Sequence, residues 1–395
     1  MNKIPKGWEV KKLGEICEKI SAGGDKPAEF SPIKTNDFKI PIYSNGIKDN
    51  GLYGYTKYAT INKQAVTVSA RGTIGFVCVR NEPFCPIVRL ISAIPKDNIL
   101  DLKFLAYALK FKIPSGEGSS IPQLTVPNFK QLEIPLPPLS EQKTIVDKLD
   151  DSFTKIENAI TNLINAKENL KLYKQSVLKS AFNGDLLPNT SPTHWEVKKL
   201  GDFSEIKGGK RLPANSKFSK DTTKFAYIRV ADFENMSVNL KDIKYITQEI
   251  QDKIKNYTIS SDDIYISIAG TIGKVGTIPI ELNGANLTEN AAKITFNGAN
   301  KKFLVYYLNS NEAQMQIIFF TKATTQAKLA LYRIKEIKIP LPPLSEQNLI
   351  VAEIDRRFAI VDKTLNLIDK SIQNAKNLKQ SILKKAFSGE LRSEI

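Results

Sequence analysis

The residue types best suited to contact a polyanion lie in a loop-rich stretch at residues 43–58. Aromatic, amide and basic side chains alternate there, around the turn signals Ser44-Asn45-Gly46 and Asp49-Asn50-Gly51. Such a mixture suits contacts to phosphates and base edges. A tyrosine-rich hairpin that packs on itself would have the same composition. The candidate contact residues here are Tyr43, Asn45, Lys48, Tyr53, Tyr55 and Lys57.

A glycine-containing segment occurs twice. SARGTIGFV at residues 69–77 returns as SIAGTIGKV at residues 267–275. Neither copy has the spacing of a nucleotide phosphate loop. The pattern predicts a strand, a turn and a strand, with glycines that let the backbone approach a ligand closely. Arg71 could reach a phosphate or a base edge, or lie on a solvated turn. The candidates from these segments and from nearby basic loops are Ser69, Arg71, Thr73, Lys207, Lys210, Arg211, Arg229, Thr271 and Lys274.

No constellation of catalytic or metal-ligating residues is recognisable. His194 is the only histidine, and Cys17, Cys78 and Cys85 have no metal-binding spacing. There is no adenine-methylating [DNS]-P-P-[YFW] tetrapeptide, no glycine-rich cofactor loop, no helicase phosphate loop and no convincing nuclease carboxylate–lysine set. We therefore expect no catalytic residue, no metal and no cofactor bound by this chain.

The net charge of +16 is divided unevenly along the chain. Residues 1–133, here the first block, and residues 188–338, the second block, each carry +7. Residues 134–187 are neutral and residues 339–395 carry +2. A diffuse basic surface can simply confer solubility. Two equally basic blocks joined by nearly neutral spacers favour two contacts with a polyanion.

The spacers are copies of one another and predict two long helices. Residues 134–186 and 339–391 both begin IPLPPLSEQ and are identical at about 24 of 53 positions. Ser140 is the expected N-cap, with Gly184 and Gly389 after the C-termini. Apolar residues form a heptad seam that predicts pairing of the two helices, the alternative being that each packs on its own block. The seam comprises Leu149, Phe153, Ile156, Ile160, Leu163, Ile354, Phe358, Val361, Leu365 and Ile368.

The repeat extends into the blocks and sets the expected fold. GWEVKKLG at residues 7–14 returns as HWEVKKLG at residues 194–201. Short β-branched runs at residues 65–69, 76–79, 87–94, 264–268 and 292–296 predict strands, and residues 102–111 and 302–318 predict one helix each. The expected fold class is α+β: two mostly antiparallel β domains, 1–133 and 188–338, separated by helical spacers 134–187 and 339–395 that pair as an antiparallel coiled coil with pseudo-two-fold symmetry.

The chain is long enough for two or three domains that each bury a core. Its first residues, MNKIPKGWEV, lack the apolar segment of a signal peptide, and its apolar runs are too short to cross a membrane. These features predict a cytoplasmic protein.

The pattern as a whole resembles the specificity subunit of type I restriction–modification systems. The resemblance covers essentially the whole chain and depends on two divergent blocks, each ending in LPPLSEQ and a long helix. It implies that each block is a target recognition domain for one half of a split DNA sequence. It also implies that the helices space these domains and dock two methyltransferase subunits, with restriction subunits bound indirectly. S-adenosylmethionine and ATP would then belong to the partner subunits.

Two other functions fit parts of the sequence. A DNA methyltransferase or nuclease with its own target domains would need a cofactor loop and a catalytic motif that are not recognisable. A coiled-coil adaptor without a DNA role would not need two basic blocks. The sequence does not specify the DNA target or the length of its unread gap.

Overall fold

The computed structural model describes residues 5–113, 116–117, 124–188, 192–321 and 327–391. The chain forms two compact units, and both long helices contribute to each of them. The first unit contains residues 1–164 and 369–395, and the second contains residues 165–368. No helix among the described residues combines the length and apolar character needed to span a membrane.

The first unit contains the strands and short helices of the first block. Its strands are β1 Glu9–Lys12, β2 Cys17–Ala22, β3 Ile40–Tyr43, β4 Leu52–Thr56, β5 Ala65–Val68, β6 Thr73–Ile74, β7 Val77–Arg80, β8 Cys85–Pro86, β9 Ile91–Pro95, β10 Gly116–Glu117 and β11 Glu133–Leu136. Its short helices are α1 Leu13–Ile16, α2 Leu102–Lys112 and α3 Val126–Lys130. The first long helix, α4 Leu139–Phe182, begins in this unit and ends in the second.

The second unit contains the corresponding elements of the second block. Its strands are β12 Glu196–Lys199, β13 Ser204–Gly208, β14 Ala226–Ile228, β15 Phe233–Glu234, β16 Ser237–Val238, β17 Lys244–Tyr245, β18 Thr258–Ile259, β19 Ile264–Ser267, β20 Val275–Thr277, β21 Ala285–Leu287, β22 Ala291–Phe296 and β23 Lys338–Leu341. Its short helices are α5 Gln248–Ile254, α6 Lys301–Leu308, α7 Asn311–Phe320 and α8 Leu331–Ile334. The second long helix, α9 Leu344–Ser388, begins here and ends in the first unit.

Both blocks have the same main sheet. Its strand order is β2-β9-β5-β7 in the first block and β13-β22-β19-β20 in the second, with all neighbours antiparallel. A second sheet in each block includes one parallel pair, β3 with β8 and β14 with β21. The expected α+β fold with two mostly antiparallel β domains is confirmed.

The expected helix at residues 302–318 is wrong, because the structure divides that stretch into α6 and α7. The side-chain amide of Asn309 donates to the carbonyl oxygens of Val305 at 2.7 Å and Val275 at 3.1 Å. Ser310 is the N-cap of α7, and its hydroxyl accepts a hydrogen bond from the Ala313 amide. Short polar side chains compete for backbone groups in this way and interrupt a helix whose apolar pattern continues.

The expected strand at residues 87–94 is also only half correct. Strand β9 begins at Ile91, and Val88 and Arg89 precede it with φ angles of 53° and 60°. This left-handed conformation is unfavourable for a β-branched residue. The apolar pattern therefore gave no sign of the turn.

The long helices pair in antiparallel fashion, as the repeat predicts. In the first unit, Glu157 of α4 pairs with Lys379 near the end of α9. In the second unit, Lys174 near the end of α4 pairs with Asp362 in the first half of α9. The order of partners along one helix is thus the reverse of that along the other.

The predicted helix ends are partly correct. Gly184 and Gly389 follow the helices with φ of 81°, the conformation expected after a C-terminus. The N-cap assigned to Ser140 is wrong, because α4 already begins at Leu139. The amides of Glu141 and Gln142 donate instead to the Pro138 carbonyl, at 2.9 and 3.0 Å.

The LSEQ motif joins each long helix to its block. The Trp8 indole donates to Glu141 at 3.0 Å, which explains why GWEV and LSEQ recur together. Gln142 is fully buried, accepts from the Asp101 amide at 2.8 Å and donates to the Ile99 carbonyl at 2.9 Å. The second copy forms the same contacts, from Trp195 to Glu346 at 3.0 Å and from the Asn300 amide to Gln347 at 2.8 Å.

Each block's core is completed by the end of the helix that belongs to the other repeat. Ala386 and Phe387, at the end of α9, are buried in the core of the first block. Leu178 and Phe182, at the end of α4, are buried in the core of the second block. A half-molecule that ended with its own helix would therefore leave this part of its core open.

Candidate nucleic-acid interface

Three loops of the first block meet at the side chain of Asn45. Its Nδ2 donates to the Val88 carbonyl at 2.6 Å, and its Oδ1 accepts from the Ala70 amide at 2.8 Å. The Gly46 amide donates to the hydroxyl of buried Ser69 at 3.4 Å. The structure therefore brings together the two stretches that the sequence singled out separately. Asn45 and Ser69 hold the loops in place through these bonds.

The repeated glycine segment forms a hairpin tip in both blocks, as predicted. The tips follow β5 and β19, and their glycines have left-handed φ angles of 66° to 88°. The amide of Gly75 donates to Ser69 O, and the amide of Gly273 donates to Ser267 O, both at 3.0 Å. The second hairpin is further fixed because the Ser267 hydroxyl donates to the Thr271 carbonyl at 2.6 Å.

The exposed basic residues at the first-block loops are Arg71, Lys48 and Arg89. Among the described residues, the side chains of Arg71 and Arg89 have no hydrogen-bond or ion-pair partner. Thr73 is half-buried, and its hydroxyl has no hydrogen-bond partner within the described part of the chain. Arg89 was not a sequence candidate, because it lies inside an apolar run that was read as a strand.

Tyr43 is covered by a buried arginine that the sequence reading missed. The Arg80 guanidinium lies 3.5 Å from the centre of the Tyr43 ring, donates to Thr67 at 3.0 Å and to the Asn50 carbonyl at 2.6 Å. Burial lowers the pKa of Arg80. Arg80 fixes the turn that carries Lys48, in which Asp49 and Asn50 have φ of 48° and 54°.

The remaining first-block candidates are Tyr53 and Tyr55 on β4 and Lys57 just after it. All three make contacts with residues 26–38. The ring of exposed Tyr53 is 5.6 Å from that of Phe30. Tyr55 exchanges backbone hydrogen bonds with Ser31 at 2.8 and 2.9 Å. Lys57 forms an ion pair with Glu29, which raises the pKa of the lysine and lowers that of the glutamate. These contacts do not join the three side chains to the Asn45 loops, and DNA contact by them stays a prediction.

In the second block, Lys210 and Arg211 lie beside the turn that precedes β22. The Lys210 amide donates to the Leu287 carbonyl at 2.8 Å, and Arg211 Nε donates to Glu289 at 2.6 Å. Burial acts to raise the pKa of Glu289, but hydrogen bonds from Arg211 and Thr288 outweigh it, so the pKa is lowered. Glu289 is therefore ionised near neutral pH, and its carboxylate accepts the hydrogen bond that orients Arg211 Nε.

Other second-block candidates are engaged within the block. Arg229 donates to buried Asp232 at 2.5 and 3.1 Å and to Asp242 at 3.2 Å, bonds that raise the pKa of the arginine. Lys274 Nζ donates to the Phe233 carbonyl at 3.1 Å. Lys207 lies on β13 and pairs with Glu205 at 2.9 Å. Thr271 is exposed at the hairpin tip. Their contact with DNA stays a prediction.

The seam residues pair the helices and also belong to the block cores. Buried members in the first unit are Leu149, Phe153 and Ile156, with Ile160 packed against the same cluster. In the second unit Ile354 and Phe358 are buried in the block core. The remaining seam residues are buried or half-buried: Leu163, Val361, Leu365 and Ile368.

Two lysines cross the seam at equivalent places. Lys174 Nζ is 4.7 Å from the centre of the Phe358 ring and 2.6 Å from Asp362 Oδ1. Lys379 Nζ is 4.8 Å from the centre of the Phe153 ring and pairs with Glu157. Each lysine therefore combines an ion pair with a cation–π contact, and the two repeats form equivalent side-chain contacts.

Over the described residues, no three His, Cys, Asp or Glu side chains are grouped so that they could hold a metal ion. The features with chemistry suited to a ligand are thus two sets of converging loops, each with exposed cationic side chains.

The chain matches the family model described as type I restriction modification DNA specificity domain twice, over residues 5–166 and 192–375. It therefore belongs to this family. The EcoKI specificity subunit of Escherichia coli K12 is 24% identical over 432 residues, covering 99% of this chain and 91% of its own. The Escherichia coli EcoBI specificity subunit is 28% identical in an alignment that covers 66% of this chain and 59% of the EcoBI subunit. A putative specificity subunit of Mycoplasma pneumoniae is 38% identical in an alignment that covers 44% of this chain and 53% of the relative. The chain thus spans between about half and nine tenths of these relatives.

Solved structures with low sequence identity share the fold. One is a chain from a structure that describes complex assembly and conformational transition of a type I R-M system. Its TM-score to this chain is 0.75 at 19% sequence identity, and the alignment covers 98% of each chain. The HsdS subunit from Thermoanaerobacter tengcongensis has a TM-score of 0.56 at 20% identity, with the same coverage.

Proposed function

We propose that this chain is the non-catalytic DNA sequence-specificity subunit of a type I restriction–modification complex. Each block reads one half of a bipartite target in double-stranded DNA. The observation that carries the proposal is the duplication of one loop arrangement, with exposed cations, on two equally basic blocks. DNA neutralises such cations through its phosphates, while differences between the loops supply sequence discrimination. The complex acts on DNA in the cytoplasm.

The paired helices dock the methyltransferase subunits in this proposal. The seam residues are covered by the blocks and by each other, so the partner must use another face. Within the second unit, α9 exposes four large apolar residues, and three of them lie at steps of 11 and 7 residues, close to whole helical turns, which puts them on one face. These three are Leu349, Ile360 and Leu367, each more than half exposed. We assign this stripe to a methyltransferase subunit; two such subunits, with restriction subunits bound through them, complete the complex.

S-adenosylmethionine and ATP belong to those partner subunits. The sequence has no recognisable glycine-rich cofactor loop and no adenine-methylating tetrapeptide. Incubation of the purified chain with labelled S-adenosylmethionine and DNA should therefore give no methyl transfer, whereas the chain with its methyltransferase subunits should methylate. Transfer by the chain alone would favour a stand-alone modifying enzyme instead.

The split target is tested by mapping methylated bases in cells that carry the complete system. We expect two short specific sequences separated by an unread gap. If Arg71 contacts a base, Arg71→Ala should weaken binding by about 1–3 kcal/mol at one half of the target only. If Arg71 contacts a phosphate, the variant should reduce the salt dependence of binding. An unchanged affinity and an unchanged salt slope would remove Arg71 from the interface.

The docking stripe is tested by co-purification. Ile360→Asp with Leu367→Asp puts two charges on the exposed stripe and should release the methyltransferase subunits while both blocks stay folded. The matched control is Asn162→Asp, at the position in α4 that corresponds to Leu367. Full retention of methyltransferase by the double variant would exclude this stripe as the docking site.

A further inference from the structure

The turn at Val88 and Arg89 is unusual within the first block. Both residues have left-handed φ angles, 53° and 60°, and both side chains are exposed. Glycine or asparagine normally occupies such positions, and a β-branched residue there is a conformational outlier. Strained turns of this kind persist only where the surrounding structure holds them, and they cluster at functional sites.

Two other loops hold this turn. The Val88 and Arg89 amides donate to the carbonyls of Gly24 at 2.8 Å and Gly23 at 2.9 Å. The Val88 carbonyl accepts from Asn45 at 2.6 Å. Gly23 packs so closely that an added Cβ would lie 2.6 Å from the Ile87 nitrogen. The backbone of the turn is therefore fixed from both sides, while the two side chains are left in solvent.

The same Asn45 amide also binds Ala70, the residue before Arg71. The Asn45 side chain thus binds Val88 and Ala70, the residues that precede the exposed arginines Arg89 and Arg71 in sequence. The Arg89 side chain has no hydrogen-bond or ion-pair partner among the described residues, so its guanidinium donors are available for an external acceptor. A fixed backbone with an unpaired, exposed guanidinium is an arrangement suited to a phosphate or a guanine edge.

The second block carries different chemistry at the corresponding turn. The Gly23 amide donates to Leu90 O at 2.8 Å, and the Gly209 amide donates to Ala291 O at 2.9 Å. These equivalent hydrogen bonds show that Leu90 and Ala291 occupy corresponding positions in the two blocks. Glu289 and Asn290 then stand where the first block has Val88 and Arg89. Neither has a left-handed φ, and Glu289 pairs with Arg211. The blocks share the loop framework and differ at this turn, as two domains that read different sequences would.

We propose that the Val88–Arg89 turn is a DNA-contacting element of the first block and that Arg89 supplies its cationic contact. This inference rests on the proposed DNA-reading function. Asn45 is the positioning residue that couples this turn to the Arg71 hairpin.

The test measures binding of the full chain to a duplex that carries the sequence methylated by the wild-type system. Two further duplexes each have one half of that sequence scrambled. Arg89→Ala should weaken binding to the intact target by roughly 5- to 150-fold if the contact is to a base. It should reduce the salt slope by about 0.9 if the contact is to a phosphate. Arg89→Lys should recover binding only in the phosphate case.

For a base contact, the effect of Arg89→Ala should persist in one scrambled duplex and vanish in the other. The control, Lys130→Ala, removes an exposed charge from α3 and keeps the Cβ that packs on Gly14. If Arg89→Ala matches this control on all three duplexes at every salt concentration, the inference is wrong although the proposed function stands. If the wild-type chain prefers none of the duplexes, the proposed function itself fails.

Discussion

Phe387→Ala should loosen the first block, although Phe387 lies in the helical segment that follows the second block in sequence. Its ring is 5% exposed and lies in the first block's core, 5.2 Å from the ring of Phe104 and 5.3 Å from that of Phe111, stacked on the latter at 11°. Truncation to alanine removes most of a buried aromatic side chain and leaves a cavity between these two rings.

The expected cost follows from that burial. Replacing a buried phenylalanine by alanine costs about 3–5 kcal/mol, since transfer and cavity terms add. For a unit of this size each kcal/mol lowers Tm by about 2–4 °C. The first unit should therefore unfold about 6–20 °C earlier. The second unit, in which Phe387 makes no core contact, should keep its own Tm.

Region-resolved hydrogen exchange is the appropriate assay. Phe387→Ala should reduce protection in residues 9–136 and leave residues 196–341 unchanged. Phe182→Ala is the matched variant, because Phe182 occupies the equivalent position of α4 and packs in the second block, 5.4 Å from Phe303 and 5.0 Å from Tyr307. It should give the opposite pattern. If Phe387→Ala loosened the second block instead, the exchange of helix ends between repeats would be refuted.

Asn45→Asp removes the amide donor between the two arginine-bearing loops, so it should lower stability by about 1–3 kcal/mol and lower affinity for the first half-site. Calorimetry and duplex binding measure the two effects, and unchanged binding would separate the loops from recognition. Lys379→Glu places like charges side by side and should lower Tm. The swap Lys379→Glu with Glu157→Lys should recover about 0.2–1 kcal/mol of coupling by a double-mutant cycle, and zero coupling would show that the pair is not energetically linked. Inserting one heptad after Ile164 and one before Asp369 keeps the seam in phase and adds about 10 Å of helix. Methylation mapping should then show a gap longer by up to roughly three base pairs with the same half-sites, and changed half-sites with an unchanged gap would show that the helices do not set the spacing.

Elements whose geometry is local were predictable from sequence. The repeated SxxGTIG segment must form a tight hairpin, because glycines at left-handed positions leave few alternatives. Errors occurred where a side chain overrode the apolar pattern, as at Asn309 and Ser310, or where tertiary hydrogen bonds imposed a strained turn, as at Val88 and Arg89. Asn45 was selected as a contact residue, yet its amide is used to join loops, which no local pattern reveals.

Sequence alone specifies the duplication, the long helices with their apolar seam, and the division of charge between the blocks. These are properties of composition and periodicity, and they need no knowledge of which surfaces meet. Which helix end completes which core depends on the tertiary structure. Equivalent ends such as Phe182 and Phe387 are chemically the same, so either could fill either core in principle. The antiparallel pairing selects the exchanged arrangement. In the same way, the loops that carry Arg71 and Arg89 are joined through Asn45, and a hydrogen bond between distant loops leaves no trace in periodicity.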